Sequence, residues 1–278
     1  MSAAPSDERS GDVRQAFSNA QRWVRAGRHD LAVEQLMAIL EIVPDEANAL
    51  CLLGSLRSAE GRLDDAIAYL SRARSLAPGF HHAALELARV QRLSGACEAA
   101  IATLEDLVQR APDHSRAWSG LADALCEARR FEQGRAAFKK AAETDPHRGL
   151  IARSIKALAE NRRADAEADL RAVLKQEPDH VHALVGLASL ALDAGVSADA
   201  ERLLERARRL SPYSDVVWRN IARLHSERSD YGQAEEAAGR AVEVAPDRAD
   251  SWSMLGNIQA WGLKPGPACE SFRKSLSV

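Results

Sequence analysis

The sequence predicts an all-α solenoid of about eight repeats, and three observations predict it. First, Pro44, Pro78, Pro112, Pro146, Pro178, Pro212 and Pro246 are 34 residues apart in five of their six gaps; the gap from Pro146 to Pro178 is 32. Second, with each proline counted as position 32 of a unit, positions 8 and 20 are small in every unit. Third, position 24 is large and apolar in all units but one. A fixed period of this length marks a repeat array. Small residues are needed wherever two helices cross closely, because larger ones would force their axes apart.

The eight units start at Val13, Ala47, His81, Ser115, His147, Val181, Asp215 and Ala249. Position 8 reads Ala20, Gly54, Ala88, Ala122, Ser154, Ala188, Ala222 and Gly256; position 20 reads Ala32, Ala66, Ala100, Gly134, Ala166, Ala200, Ala234 and Ala268. Position 24 is Leu36, Leu70, Leu104, Phe138, Leu170, Leu204 and Phe272, with Ala238 the exception. Position 4 carries Trp118, Trp218 and Trp252, which are expected to pack in the core. Position 7 is Leu53, Leu87, Leu121, Leu187, Ile221 and Leu255. This W…LG…A…F…A…P pattern resembles the tetratricopeptide repeat over residues 13–278. The resemblance implies two antiparallel helices per unit, A and B, wound into a right-handed superhelix.

In chain order, residues 1–12 read as a disordered leader, residues 13–146 as repeats 1–4 and residues 147–278 as repeats 5–8. Asn19 stands at position 7 of repeat 1, which suits an end unit with one face in water. Gly27, Gly61, Gly95 and Gly195 sit at the A–B turns, where a C-terminal glycine closes a helix. Tyr231 is taken to mark the turn of repeat 7 and Gly262 to open that of repeat 8. Repeat 4 has Arg129 at its turn, and Gly134 costs about 1 kcal/mol of helix propensity relative to alanine. Repeat 5 is the irregular unit. It is two residues short and places Arg153 at position 7, a core position, so its stacking on repeat 4 is expected to differ from the rest. Pro267 fits the first turn of the last helix. Repeat 8 stops at position 30, which reads as the edge of an excised fragment.

The formal net charge is -3 and the pI about 6.3, so no basic footprint suggests nucleic acid. Arginine outnumbers lysine 31 to 6, a bias expected of a high-GC bacterial gene. Cys51, Cys97, Cys126 and Cys269 have neither CxxC nor zinc spacing and read as free thiols in a reducing compartment. No secretory signal and no membrane-length apolar run occurs, so a cytoplasmic protein is expected. Phosphate-binding glycine loops, HExxH and GxSxG are absent. We therefore expect no enzyme activity, no cofactor and no metal. His81, His114, His147 and His180 recur every 33 residues and are expected to be polar turn residues held about one helix spacing, roughly 10 Å, apart.

The resemblance implies that helix A lines the concave face through positions 2, 5, 6, 9, 12 and 13. Those positions hold His82, Glu86, Arg89 and Arg92, with Arg116 and Asp123 from the next unit. A second set is Arg219, Asn220 and Arg223, with Ser253 and Asn257. Guanidiniums and amides of this kind can hold a peptide's carboxylates and backbone. The expected contact residues are therefore Arg219, Asn220, Arg223 and Asn257, followed by Arg89, Arg92 and Arg116. The carboxylate clamp of chaperone-binding arrays is not matched, since Asn220 and Asn257 occur in the reverse order. The asparagine ladder of glycosyltransferase arrays is not matched either, because only Asn220 occupies position 6.

The function expected is a non-catalytic scaffold for a protein or peptide, with an acidic segment fitting best. An alternative is a substrate-recruiting or dimerising arm of a larger bacterial transferase. Residues 211–278 are similar to arrays that precede a sulfotransferase domain. A third reading has the open face of repeat 8 stacking on a second copy, as a homo-oligomer.

Overall fold

The structure is a computed structural model. It describes the backbone of residues 5–278 and the side chains of residues 13–278, so the first part of the expected leader lies outside the described residues. Sixteen α-helices and no strand are found among the described residues. They are α1 (Pro5–Arg25), α2 (His29–Ile42), α3 (Ala47–Ala59), α4 (Leu63–Leu76), α5 (His81–Leu93) and α6 (Cys97–Arg110). There follow α7 (Ser115–Glu127), α8 (Phe131–Glu143), α9 (Arg148–Ala159), α10 (Arg163–Gln176) and α11 (Val181–Asp193). The last are α12 (Ser197–Leu210), α13 (Asp215–Glu227), α14 (Tyr231–Val244), α15 (Ala249–Trp261) and α16 (Pro265–Ser277). The chain forms two compact units, Met1–Pro112 with α1–α6 and Asp113–Val278 with α7–α16.

The small positions do what their spacing predicts: all sixteen residues at positions 8 and 20 are buried. At Gly54 an added Cβ would lie 2.6 Å from Leu70 Cγ and 3.2 Å from the Ala66 carbonyl, so the A and B helices meet there almost backbone to backbone. Repeat 4 solves the same crossing differently. The buried Cys126 Sγ occupies the space where Gly134 lacks a side chain, in the place an added Cβ would take. Gly134 is thus required by its neighbour, and its lost helix propensity is offset by close packing.

Position 15 supplies a second regularity. In all eight units this residue is left-handed: Gly27, Gly61, Gly95 and Gly195, but also Arg129, Asn161, Ser229 and Leu263. The turn of repeat 7 is therefore made by Ser229, and Tyr231 is instead the first residue of α14. In repeat 8 the left-handed residue is Leu263 (φ 60), while Gly262 has φ -78. The glycine stands one residue early, so a branched side chain takes the strained position. Leu263→Gly is expected to raise stability by about 0.5–1 kcal/mol, relief of the left-handed strain outweighing the extra freedom of glycine in the unfolded chain. Asn161→Gly should gain less, because asparagine tolerates this conformation. Urea midpoints of the two variants check this ranking.

The tryptophans at position 4 of repeats 7 and 8 are partly buried and do not lie fully in the core. Trp218 Nε1 donates to the Pro212 carbonyl and Trp252 Nε1 to the Pro246 carbonyl, both at 2.7 Å. Each ring packs on the hydrophobic cluster of α13–α15, while its N–H satisfies a carbonyl just past the preceding helix B. The tryptophan and the periodic proline thus form one device.

In the second unit, α9–α16 follow one another as stacked pairs. Repeat 4 departs from that pattern. Arg116 pairs with Glu177 (3.7 Å), Ser211 Oγ donates to Asp123 (3.1 Å) and Arg129 pairs with Glu243 (3.4 Å). Arg135 on α8 reaches Asp247 at 3.4 Å. Glu177, Ser211 and Asp247 lie at the B-to-A turns of repeats 5, 6 and 7 in succession, and Glu243 lies in the last turn of α14. Steps of about seven residues along a helix rise about 10 Å, which equals the spacing of packed helices. Helix α7 therefore runs across two successive turns, and the α7–α8 turn and α8 reach the third. Helices α8 and α9 are thinly buried as a result: α8 buries Gly134 and Ala137, and α9 buries Ser154 and Ala157.

Arg153 is consequently not a core residue. Its side chain is 65% exposed and pairs with Asp169, with Nε 2.7 Å from Oδ2. The Arg153 guanidinium holds the Asp169 carboxyl below the usual carboxylate range. Repeat 5 thus carries a polar residue at position 7, as repeat 1 does with Asn19.

Candidate functional site

The helix-A face of repeat 7 brings together three of the residues singled out from sequence. Arg219, Asn220 and Arg223 lie on α13 and all are partly buried. Arg223 is shared between two carboxylates and a hydroxyl: it pairs with Asp193 of α11, its Nε donates to Glu227 (2.8 Å) and its Nη1 to Ser189 (3.3 Å). Desolvation pulls its pKa down, yet pairing with Asp193 and Glu227 outweighs that and leaves it above the ordinary value. Arg219 sits 3.4 Å from Asp215, and Asp215 in turn is 3.2 Å from Arg248. Arg219 Nε is buried without a hydrogen-bond partner. Asn220 Nδ2 donates to the Val216 carbonyl at 2.9 Å, which leaves its amide oxygen to other uses. Asn257, on α15, is exposed.

Sequence reasoning missed Ser189 and Asp193. They occupy positions 9 and 13 of repeat 6, the same helix-A positions from which Arg223 was chosen, and that signal could have identified them. Within the site Arg219, Arg223 and Arg248 are matched by Asp193, Asp215 and Glu227. The arrangement is a charge-balanced ion-pair network.

The other candidates fall elsewhere. Arg89, on α5 of the first unit, donates to Glu86 at 2.9 Å and to Ser58 at 3.4 Å. Arg92 is half-buried in the last turn of α5. Arg116, on α7 of the second unit, is taken up by Glu177.

The histidines depart from expectation. His147 and His180 have ring centroids 5.6 Å apart, and His180 and His182 are 6.0 Å apart. His147 lies beside the turn of repeat 5, 3.8 Å from Glu177. There Asp145 accepts the His147 backbone N–H (2.7 Å) and lies 3.0 Å from His180 Nε2. His180 Nδ1 accepts the Ala183 N–H at 3.2 Å, capping α11, so its proton resides on Nε2. Both ring nitrogens are thereby engaged. Among the described residues no group of histidine, cysteine or carboxylate side chains is arranged to hold a metal ion. Desolvation by surrounding protein lowers the His182 pKa and His180 adds to this, although part of the ring still meets solvent.

Cys51 and Cys126 are buried, Cys97 is intermediate and Cys269 is exposed. Burial, with Glu86 nearby, pushes the Cys51 thiol up to about 12, which makes it inert. Among the described residues no helix is long and apolar enough to cross a membrane.

Family models agree with this architecture. A tetratricopeptide repeat model matches residues 17–79, 151–215 and 219–260, and a second matches residues 57–119 and 92–155. Cellulose synthase operon protein C of Xanthomonas axonopodis pv. citri is 30% identical over 141 residues, which is 48% of this chain and 9% of that protein. The chain thus spans less than a tenth of that relative's length. A tetratricopeptide repeat protein from Parabacteroides merdae aligns at 17% identity and TM-score 0.43, covering 95% of this chain and 92% of its own. MamA from Desulfovibrio magneticus aligns at 17% identity and TM-score 0.45, covering 73% of this chain and 97% of its own. With family models matching well over half of the residues and every small crossing position buried, the chain belongs to the tetratricopeptide repeat family.

Proposed function

We propose that the chain is a non-catalytic scaffold that binds a protein or peptide segment on the helix-A face of repeats 7 and 8. The contact residues on this face are Arg219, Asn220, Arg223 and Asn257; Arg89 and Arg92 of the first unit, and Arg116 of repeat 4, are separate candidates and not part of it. The observation that carries this reading is the shared Arg223: it holds two carboxylates at once at a partly exposed site. Surface pairs of this kind are worth about 0–1 kcal/mol each, so a partner's carboxylate competes with them readily. The Asn257 amide supplies backbone contacts. An acidic extended segment fits this face, and the cytoplasm is the compartment that suits free thiols.

The experiment is affinity capture by the wild-type chain and by Arg219→Ala/Arg223→Ala, each shown folded by circular dichroism. The expected result is that captured species fall by more than half with the double variant. Equal capture by the folded double variant overturns the assignment of this face.

We also propose residues 13–146 and 147–278 as the two functional segments, a reading supported by the polar position 7 in both repeat 1 and repeat 5. A second reading is an arm of a larger bacterial transferase. It rests on the resemblance of residues 211–278, and the reading frame beyond codon 278 tests it. A third reading is self-association through repeat 8, which light scattering tests.

A further inference from the structure

We infer that repeat 4 is a releasable latch, held closed on the turns of repeats 5–7 by charge and pivoting on the connection between α8 and α9. The backbone of that connection is unlike the six others. Elsewhere the residue closing each helix B has φ between -141 and -128 and ψ between 72 and 89. The residue opening the next helix A has ψ between 76 and 117. Here Thr144 has φ -94 and ψ 0, and His147 has φ -94 and ψ 5. In the second unit α10, α12 and α14 each pack on the helix A that follows, and α8 has no such packing on α9. The stack of neighbouring repeats is open at this one joint.

Repeat 4 engages the later turns through its own helix-A face. Position 9 of helix A is exposed or half-buried in the other seven units. In repeat 4 it is Asp123, 1% exposed, and Ser211, also 1% exposed, donates to it at 3.1 Å. The turn that carries Ser211 is covered as well. Of the seven periodic prolines only Pro212 is half-buried, and the other six are exposed. Around this buried centre the charged contacts run one way. Arg116, Arg129 and Arg135 of repeat 4 supply the cations, and Glu177, Glu243 and Asp247 supply the anions, at 3.7, 3.4 and 3.4 Å. Arg116 and Arg129 are mostly exposed. Ion pairs this open to water are weak singly and are screened by salt.

The pivot is pinned separately from the latch. Asp145 accepts the His147 backbone N–H and lies 3.0 Å from Nε2 of His180, the residue that caps α11. Release of the three arginine pairs therefore leaves the connection fastened beside α11 and frees the helices that precede it. Closed, the latch fills the helix-A face of repeat 4 with the chain's own turn. Open, it adds that face to the accessible surface. Arg219 and Arg223 pair with Asp215, Asp193 and Glu227 and take no part in these contacts, so the latch is independent of the α13 face.

The test measures one distance in the full chain. Spin labels are attached at Glu132→Cys on α8 and Glu236→Cys on α14, both exposed positions, in a Cys97→Ser/Cys269→Ser background. Cys51 and Cys126 are buried and stay unlabelled. Electron double resonance reads the distance distribution. The expected result at low salt is a single short distance. A longer population should grow as salt rises to about 1 M, where the screening length falls to about 3 Å. Arg116→Glu/Arg129→Glu/Arg135→Glu should populate the long distance at low salt. Adding Glu177→Arg/Glu243→Arg/Asp247→Arg restores the three pairs with their signs exchanged and should bring the short distance back. Circular dichroism verifies the helix content of each variant, and if the triple variant does not fold, the salt series on the unreversed chain decides. The inference is overturned if the distance stays short at high salt or in the folded triple variant, since the joint is then fixed. It is also overturned if the long distance already dominates at low salt, or if the sixfold exchange does not close the latch.

Discussion

Leu170→Ala is expected to lower stability by about 2–5 kcal/mol, the largest single-residue effect in the second unit. Leu170 is 2% exposed and lies on α10 against α11. Its two terminal carbons are each 2.9 Å from where a Cβ on Gly186 would stand. The leucine therefore fills the notch that the glycine leaves, and it packs there with Val173, Ala183 and Leu187. Truncation removes the buried surface and leaves a void that two packed helices cannot close. The notch also predicts a coupling. Gly186→Ala alone gains about 1 kcal/mol of helix propensity, but its methyl collides with Leu170 and that gain is lost. In the Leu170→Ala background the methyl enters vacated space, so the same substitution stabilises. A double-mutant cycle from urea denaturation measures this interaction. Strict additivity of the two substitutions would show that these side chains do not meet.

Ala66→Leu and Ala200→Leu are each expected to cost about 1–3 kcal/mol by overpacking. Both alanines are fully buried at position 20. The Ala66 carbonyl comes within 3.2 Å of an ideal Cβ on Gly54, so α3 and α4 have no room for three more carbons. Ala200 sits in a cluster with Leu184, Ala188 and Leu204, which is equally closed. Leucine and alanine are both good helix formers, so the loss is steric. Ala164→Leu, on an exposed position of α10, is the control and should stay within about 0.5 kcal/mol. Unchanged urea midpoints for both Ala66→Leu and Ala200→Leu would mean that position 20 does not face the helix crossing.

The sequence by itself determined the helix pairs and their register. Small residues at positions 8 and 20 in all eight units, and a large apolar residue at position 24 in seven of them, record contacts that the units make with their neighbours. A contact repeated eight times is written eight times, and a period exposes it. The same logic made Arg219, Asn220 and Arg223 legible as residues on one side of α13, since helical spacing puts them there.

Only the tertiary structure decided what is not repeated. The residues that bind α7 to the turns are 88 residues apart for Asp123 and Ser211 and 114 apart for Arg129 and Glu243. No period announces such pairs. They join repeat 4 to the repeats that follow it, and His147, His180 and His182 meet at one of those turns. Arg153 looked like a misplaced core residue because position 7 is a core position only where a preceding unit stacks on it. On α9 it lies open and is held by Asp169. Leu263 shows the reverse failure, at the scale of one residue. Glycine marks a turn in sequence, but the left-handed conformation belongs to whichever residue stands at position 15, because the two flanking helices set that geometry and the side chain there must accept it.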